Sequence, residues 1–215
     1  MADTHGLVAH QFDDMAQQRD AGLLGMWAFL VTEVLFFGGL FTGYTVYRIA
    51  YHDGFVIGSH HLDYLLGGAN TAVLLLSSLT MALAVHASQT GRRRSLIAYL
   101  LSTMILGATF LGVKYVEYSE KFAHHLVPGP HFMHEGPQAQ HVELFMGFYF
   151  AMTGMHALHM LIGMGILGTL VVMAWRGRFS PAYHAPVVVS GLYWHFVDIV
   201  WIFLYPLLYL IGTRR

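Results

Sequence analysis

Five stretches of this 215-residue chain are apolar for longer than a soluble protein of its size could bury. Crossing the ~30 Å hydrocarbon core of a bilayer takes about 20 apolar residues at ~1.5 Å of helical rise each. Leu23 to Tyr47, Tyr64 to His86, Ser95 to Tyr118, Glu143 to Trp175 and Val187 to Ile211 all pass that test, and each is closed by charged, Pro or Gly-rich punctuation. The sequence therefore predicts an all-α polytopic membrane protein. Its bundle of five transmembrane helices occupies 23–211, with an N-terminal cytoplasmic segment over 1–22 and a C-terminal tail over 212–215. The fourth stretch is too long for a perpendicular span and is expected to tilt or protrude.

Composition narrows the chemistry. Hydrophobic residues make up 56% of the chain and charged ones only 11%, against about 25% in ordinary soluble proteins. A net charge of −1 provides no electrostatic footprint for nucleic acid. The one dense basic cluster, Arg92 to Arg94, is better explained by topology. The absence of cysteine excludes a disulfide framework, a thiolate zinc site, an iron–sulfur cluster and a two-thiolate copper centre, so any metal or haem would need His, Met or carboxylate ligands. The first apolar run is too long for a secretory signal and follows Asp3, Asp13, Asp14 and Asp20, so the first span is expected to insert and stay.

Topology follows from loop length and charge. The connections Arg48 to Asp63 and Ser119 to Val142 are long, whereas Ala87 to Arg94 and Arg176 to Pro186 are short and basic. Arg19, Arg92, Arg93, Arg94, Arg176 and Arg178 gather on the N-terminal face, against Arg48, Lys121, Arg214 and Arg215 opposite, which implies a cytoplasmic N-terminus. Small residues four apart, Gly39 with Gly43, Ala108 with Gly112 and Gly147 with Ala151, are expected at helix contacts.

An ionisable side chain near the bilayer centre costs several kcal/mol on most scales, so each one in a span asks for a reason. Glu33 lies about ten residues, or ~15 Å, into the first span, and Asp198 about as far into the last from the same face. His195 precedes Asp198 by three residues, and His156 and His159 form a second such pair in the fourth span. Three readings of this layer stay open: a structural hydrogen-bond network, a proton-handling site, and axial ligation of haem by histidines from different helices. A neutral carboxyl in hydrocarbon is also the form that attacks a carbodiimide.

Lys114, Glu117 and Lys121, spaced by three and four near the end of the third span, are read as an intrahelical pairing that snorkels to the interface. The histidine-rich loop with His124, His125, His131, His134 and His141 shows no regular ligand spacing and is read as a solvated outer loop rather than a metal site. Trp27, Trp175, Trp194 and Trp201 fit interfacial belts or helix contacts.

The segments that carry these groups resemble subunit III of the haem–copper respiratory oxidases. WAFLVTEVLFFGGLF, from Trp27 to Phe41, is similar to a family helix with an embedded glutamate, and Glu33 takes that place. TGMHALHMLIG, from Thr153 to Gly163, matches a T-G-x-H-x-x-H segment, and YWHFVDIVWIFLY, from Tyr193 to Tyr205, matches the family's last helix almost residue for residue. In KYVEY, Glu117 fits the family glutamate, while Lys114 stands where many members have glutamine.

The resemblance runs from about Gly22 to the C-terminus and looks like the short five-helix prokaryotic form, without the first two helices of longer members. It implies a non-catalytic core subunit of a proton-pumping cytochrome c oxidase in a prokaryotic cytoplasmic membrane. Haems and copper would then reside in partner subunits I and II, with none in this chain and with phospholipid bound alongside. Glu33 would be the carbodiimide-reactive position, and the chain would support subunit I stability and proton uptake. A quinol oxidase subunit, a nitric-oxide-reductase-associated relative, a b-type haem electron carrier and a small transporter are the alternatives.

Overall fold

A computed structural model describes residues 10–130, 132, 133, 136 and 138–212. The predicted N-terminal segment and tail therefore lie partly outside the described residues, as do Asp3, Arg214 and Arg215. Six helices are formed among the described residues: α1 (Met15–Ala50), α2 (His52–Ser59), α3 (Tyr64–Gln89), α4 (Arg93–Ala123), α5 (Ala139–Trp175) and α6 (Ala185–Tyr209). All but α2 are long and apolar enough to cross a membrane.

The starts of these helices have local causes. The Asp14 side chain accepts a hydrogen bond from the Gln17 N–H at 2.7 Å, so α1 begins a full two turns before the first apolar stretch. Asp63 caps α3 in the same way, accepting from the Leu65 and Leu66 N–H groups at 2.9 and 3.0 Å. Pro186 stands in the first turn of α6, where its missing N–H costs nothing. α5 runs 37 residues and projects beyond the expected Glu143 start, as its length requires.

One connection differs from expectation. The stretch Arg48 to Asp63 is not simply a loop, since it contains α2, which folds back against α5 with Phe55 fully buried against Phe145 and Tyr44. Eight residues are too few to span, so hydropathy alone gave no signal for this helix.

α3, α4, α5 and α6 pack as a closed ring, each against the next and α6 against α3. α1 lies outside the ring, mainly along α6. Apolar contact carries little driving force among lipid tails, so close packing and interhelical hydrogen bonds must hold such a bundle. Trp194 and Trp201, each 1% exposed, fill the interior. Their indole N–H groups donate across to α3, to Ser77 Oγ at 2.9 Å and Thr71 Oγ1 at 3.0 Å. A side chain at Gly107 or Gly163 would place its Cβ 2.9 or 3.0 Å from the Trp194 ring, so these glycines are what admit the indole.

The predicted small-residue rows do not play that part. A Cβ added at Gly39, Gly112 or Gly147 meets nothing within 4 Å, and only Gly43 comes near another helix, at 3.6 Å from Phe148. The close approaches fall at other glycines instead, at Gly58 against Phe145, Gly107 and Gly163 against Trp194, and Gly191 against Val85. Trp27 and Trp175 remain exposed, as interfacial residues would be.

Candidate functional site

The ionisable groups within the spans do not form one continuous layer; the structure sorts them into three arrangements. In the first, Glu33 of α1 and His159 of α5 meet, with carboxylate Oε2 and imidazole Nε2 at 3.1 Å. The two side chains are 19% and 11% exposed. Phe37 packs edge-on against the His159 ring at 5.4 Å, and Tyr193 donates its hydroxyl to the His159 carbonyl at 2.9 Å.

The protonation of this pair follows from its geometry. His159 Nδ1 lies 2.8 Å from the Met155 carbonyl oxygen, which can only accept, so Nδ1 carries a hydrogen. Nε2 then either accepts a proton from a neutral Glu33 carboxyl or, in the imidazolium, donates to the carboxylate. Both forms hold one proton between Glu33 and His159 and both are neutral overall, which makes the pair tolerable at this depth. Beside it, an apolar groove of about 440 Å³ runs between α1 and α6, lined among others by Trp27, Leu30, Val34, Phe37, Phe196 and Phe203.

The second arrangement involves His156, His195 and Asp198. His156 Nε2 donates to the Val197 carbonyl at 3.1 Å, and its Nδ1 has no partner among the described residues. His195 does not pair with Asp198 as the shared helix face suggests. Its Nδ1 meets Ser78 Oγ of α3 at 2.7 Å. Asp198 is 3% exposed, and neither carboxylate oxygen has a hydrogen-bond partner among the described residues. The helical spacing is right, but the serine on the neighbouring helix supplies the partner of His195.

Lys114 and Glu117 form the third arrangement, and here the snorkelling expectation is overturned. The two pair at 3.0 Å within α4, yet Lys114 is 5% exposed, Glu117 2% and Lys121 7%. Lys114 Nζ also donates to the hydroxyls of Tyr149 of α5 at 3.1 Å and Tyr209 of α6 at 2.8 Å. Both tyrosines donate in turn to Glu117 Oε1, at 2.8 and 2.6 Å. The ammonium faces the rings of Tyr149 and Trp201 at 4.9 and 5.2 Å. Every Lys114 ammonium hydrogen has a partner, so the Lys114 and Glu117 charges are neutralised inside the bundle rather than at its surface. Spacing along α4 foretold the pairing, but nothing in it signalled the two tyrosines from other helices.

In the histidine-rich loop, His124 and His125 are exposed, and His131 and His134 lie outside the described residues. His141 is instead stacked on Tyr51 at 4.2 Å and bonded to Gln138 at 2.5 Å. No group of three or more His, Asp or Glu side chains converges as a metal site among the described residues.

These arrangements can share a proton, neutralise a buried ion pair and offer an apolar surface to lipid. The family described as Cytochrome c oxidase subunit III matches residues 11–213. Quinol oxidase subunit 3 of Bacillus subtilis is 32% identical, over 92% of this chain and 92% of its own length. Cytochrome bo(3) ubiquinol oxidase subunit 3 of Pseudomonas aeruginosa is 33% identical, over 99% and 95%. Cytochrome c oxidase subunit 3 of Synechocystis is 34% identical, over 89% and 76%. With five helices able to span a bilayer and a family match over nearly the whole chain, this protein is a multi-pass membrane protein that belongs to the cytochrome c oxidase subunit III family of the haem–copper oxidases.

Proposed function

We propose that this chain is the non-catalytic subunit III of a proton-pumping terminal oxidase in a prokaryotic cytoplasmic membrane, with its N-terminus in the cytoplasm. In this reading it packs beside subunits I and II, which hold the haems and copper, and it sustains subunit I stability and proton uptake. The observation that carries the reading is the Glu33–His159 pair, a carboxyl and an imidazole 3.1 Å apart beside an apolar groove of about 440 Å³. Such a pair holds a carboxyl within reach of lipid without placing net charge in the membrane. Phospholipid acyl chains are the occupant that the apolar α1/α6 groove suits.

Cytochrome c is the proposed electron donor to the complex, in line with the Synechocystis relative. Quinol is the second reading, favoured by the quinol oxidase relatives of Bacillus subtilis and Pseudomonas aeruginosa. A b-type haem carrier is disfavoured by the histidines themselves: both ring nitrogens of His159 are engaged, and Nε2 of His156 is bonded to a backbone carbonyl.

The test is to purify the chain from its native membrane in mild detergent and identify what accompanies it. Co-purification with a large haem–copper subunit, and faster loss of turnover once the chain is stripped away, are the expected results. The chain emerging alone, or with a haem of its own, would overturn the proposal. Supplying reduced cytochrome c or quinol to the same preparation separates the two donors.

A further inference from the structure

On the face of the bundle where α4 begins and α5 ends, an open groove of about 640 Å³ is lined by Arg92, Arg93, Arg94, Ser95, Ile97 and Trp175. Its three arginines are not equivalent. Arg93 is used inside the fold: Nε donates to the Ala174 carbonyl at 3.0 Å and a terminal nitrogen to the Trp175 carbonyl. It thereby satisfies the last carbonyls of α5 and ties the two helix ends together. Arg92 and Arg94 are exposed and form no ion pair among the described residues.

Neither adjoining loop neutralises them. The two short loops on this face, 87–94 and 176–186, contain no Asp or Glu, and the second adds Arg176 and Arg178, both exposed. The first turn of α4 holds no acidic residue either. The other side of the groove is apolar. Trp175, 73% exposed, projects from the end of a membrane-spanning helix, half-buried Ile97 lies below the arginines, and Leu101 and Ile105 continue the exposed apolar surface of α4 towards the bilayer.

A cationic mouth over an apolar floor at the depth of the headgroups matches one chemistry, a phosphodiester with an acyl chain attached. We propose that this groove binds an anionic phospholipid, with its phosphate between Arg92 and Arg94 and its acyl chain along Ile97 and Trp175. An acidic segment of another protein would satisfy the arginines but would not account for the apolar surface that continues down α4. The inference rests on the chain being a multi-pass membrane subunit and is independent of its electron donor and of Glu33.

The experiment uses the intact complex containing this chain, delipidated in neutral detergent and followed by native mass spectrometry. Phosphatidylglycerol and phosphatidylcholine of identical acyl chains are added separately. One retained phosphatidylglycerol is expected in the unaltered complex, and the doubly substituted Arg92→Gln/Arg94→Gln complex is expected to bind it about 25-fold more weakly. That figure takes about five-fold for each basic side chain close to an anionic membrane surface. Phosphatidylcholine binding is expected to be equal in the two, and excess inorganic phosphate is expected to leave the lipid in place. Arg93 is left unchanged because it holds the helix ends, and retained carbodiimide labelling of Glu33 reports an intact fold. Equal phosphatidylglycerol binding by both complexes would overturn the proposal. So would displacement by inorganic phosphate, which identifies a free-anion site, or loss of another subunit rather than lipid, which identifies a protein contact.

Discussion

Replacing Lys114 by Met and Glu117 by Gln, singly and together, tests whether the buried ion pair acts as a unit. In Lys114→Met the Glu117 carboxylate keeps two tyrosine hydroxyls on Oε1 but loses its ion pair and the hydrogen bond at Oε2. In Glu117→Gln the amide oxygen can still accept from Tyr149 and Tyr209, while an ammonium is left uncompensated at 5% exposure. Breaking one side of a buried pair typically costs 3–5 kcal/mol, and the remaining tyrosine contacts put each single substitution near the lower bound, about 3 kcal/mol. Independent effects would sum to about 6 kcal/mol. The double substitution removes both charges, so it is expected to cost no more than either single, a coupling of about 3 kcal/mol.

The assay is SDS-induced unfolding of the purified chain in lipid–detergent micelles, followed by the near-ultraviolet circular dichroism of Trp194 and Trp201. Trp201 reports directly, since its ring lies 5.2 Å from the ammonium. Added salt is expected to change none of the differences, because a pair this buried is poorly screened. Additive single effects, or a Lys114→Met chain as stable as the original, would refute the reasoning.

Glu33→Gln is expected to leave assembly intact, because the amide can donate to His159 Nε2 in place of the neutral carboxyl, and to abolish carbodiimide labelling; labelling that persists would point to another carboxyl. Asp198→Leu is expected to assemble normally, since His195 keeps its 2.7 Å contact with Ser78 and a buried polar group gives way to an apolar one, and a sharp drop in complex yield would count against this. Gly163→Leu should push Trp194 out of the ring interior at a cost of about 1–3 kcal/mol or more, read from the same unfolding titration, whereas Gly112→Ala should be silent within this chain. Trp201→Phe should lose the Thr71 hydrogen bond and little else there, about 0.6 kcal/mol on the scale of interhelical bonds in membranes, provided the smaller ring is accommodated; a shift of several kcal/mol would show that the indole also holds the Lys114 cluster together.

The chain's own order of residues was enough to determine that it crosses a bilayer, because span length and hydropathy are local sums over neighbouring positions. It likewise determined the Lys114–Glu117 pairing, which i, i+3 spacing dictates, and the position of Glu33 along its helix, which is a count of residues. What lay beyond it were relations between distant segments. His159 stands 126 positions after Glu33, and which of the four midplane histidine and aspartate side chains meets that carboxyl depends on how α1 is turned against α5. The caging of Lys114 by Tyr149 and Tyr209 depends on three helices converging at one level. His195 takes Ser78 rather than Asp198 because α3 closes the ring against α6. α2 escaped notice because a short helix packed on protein leaves no spanning signature. In a membrane, apolar pattern says which residues enter the bilayer, but most residues there are apolar enough to face lipid or protein alike. Only tertiary packing decides which polar groups find one another.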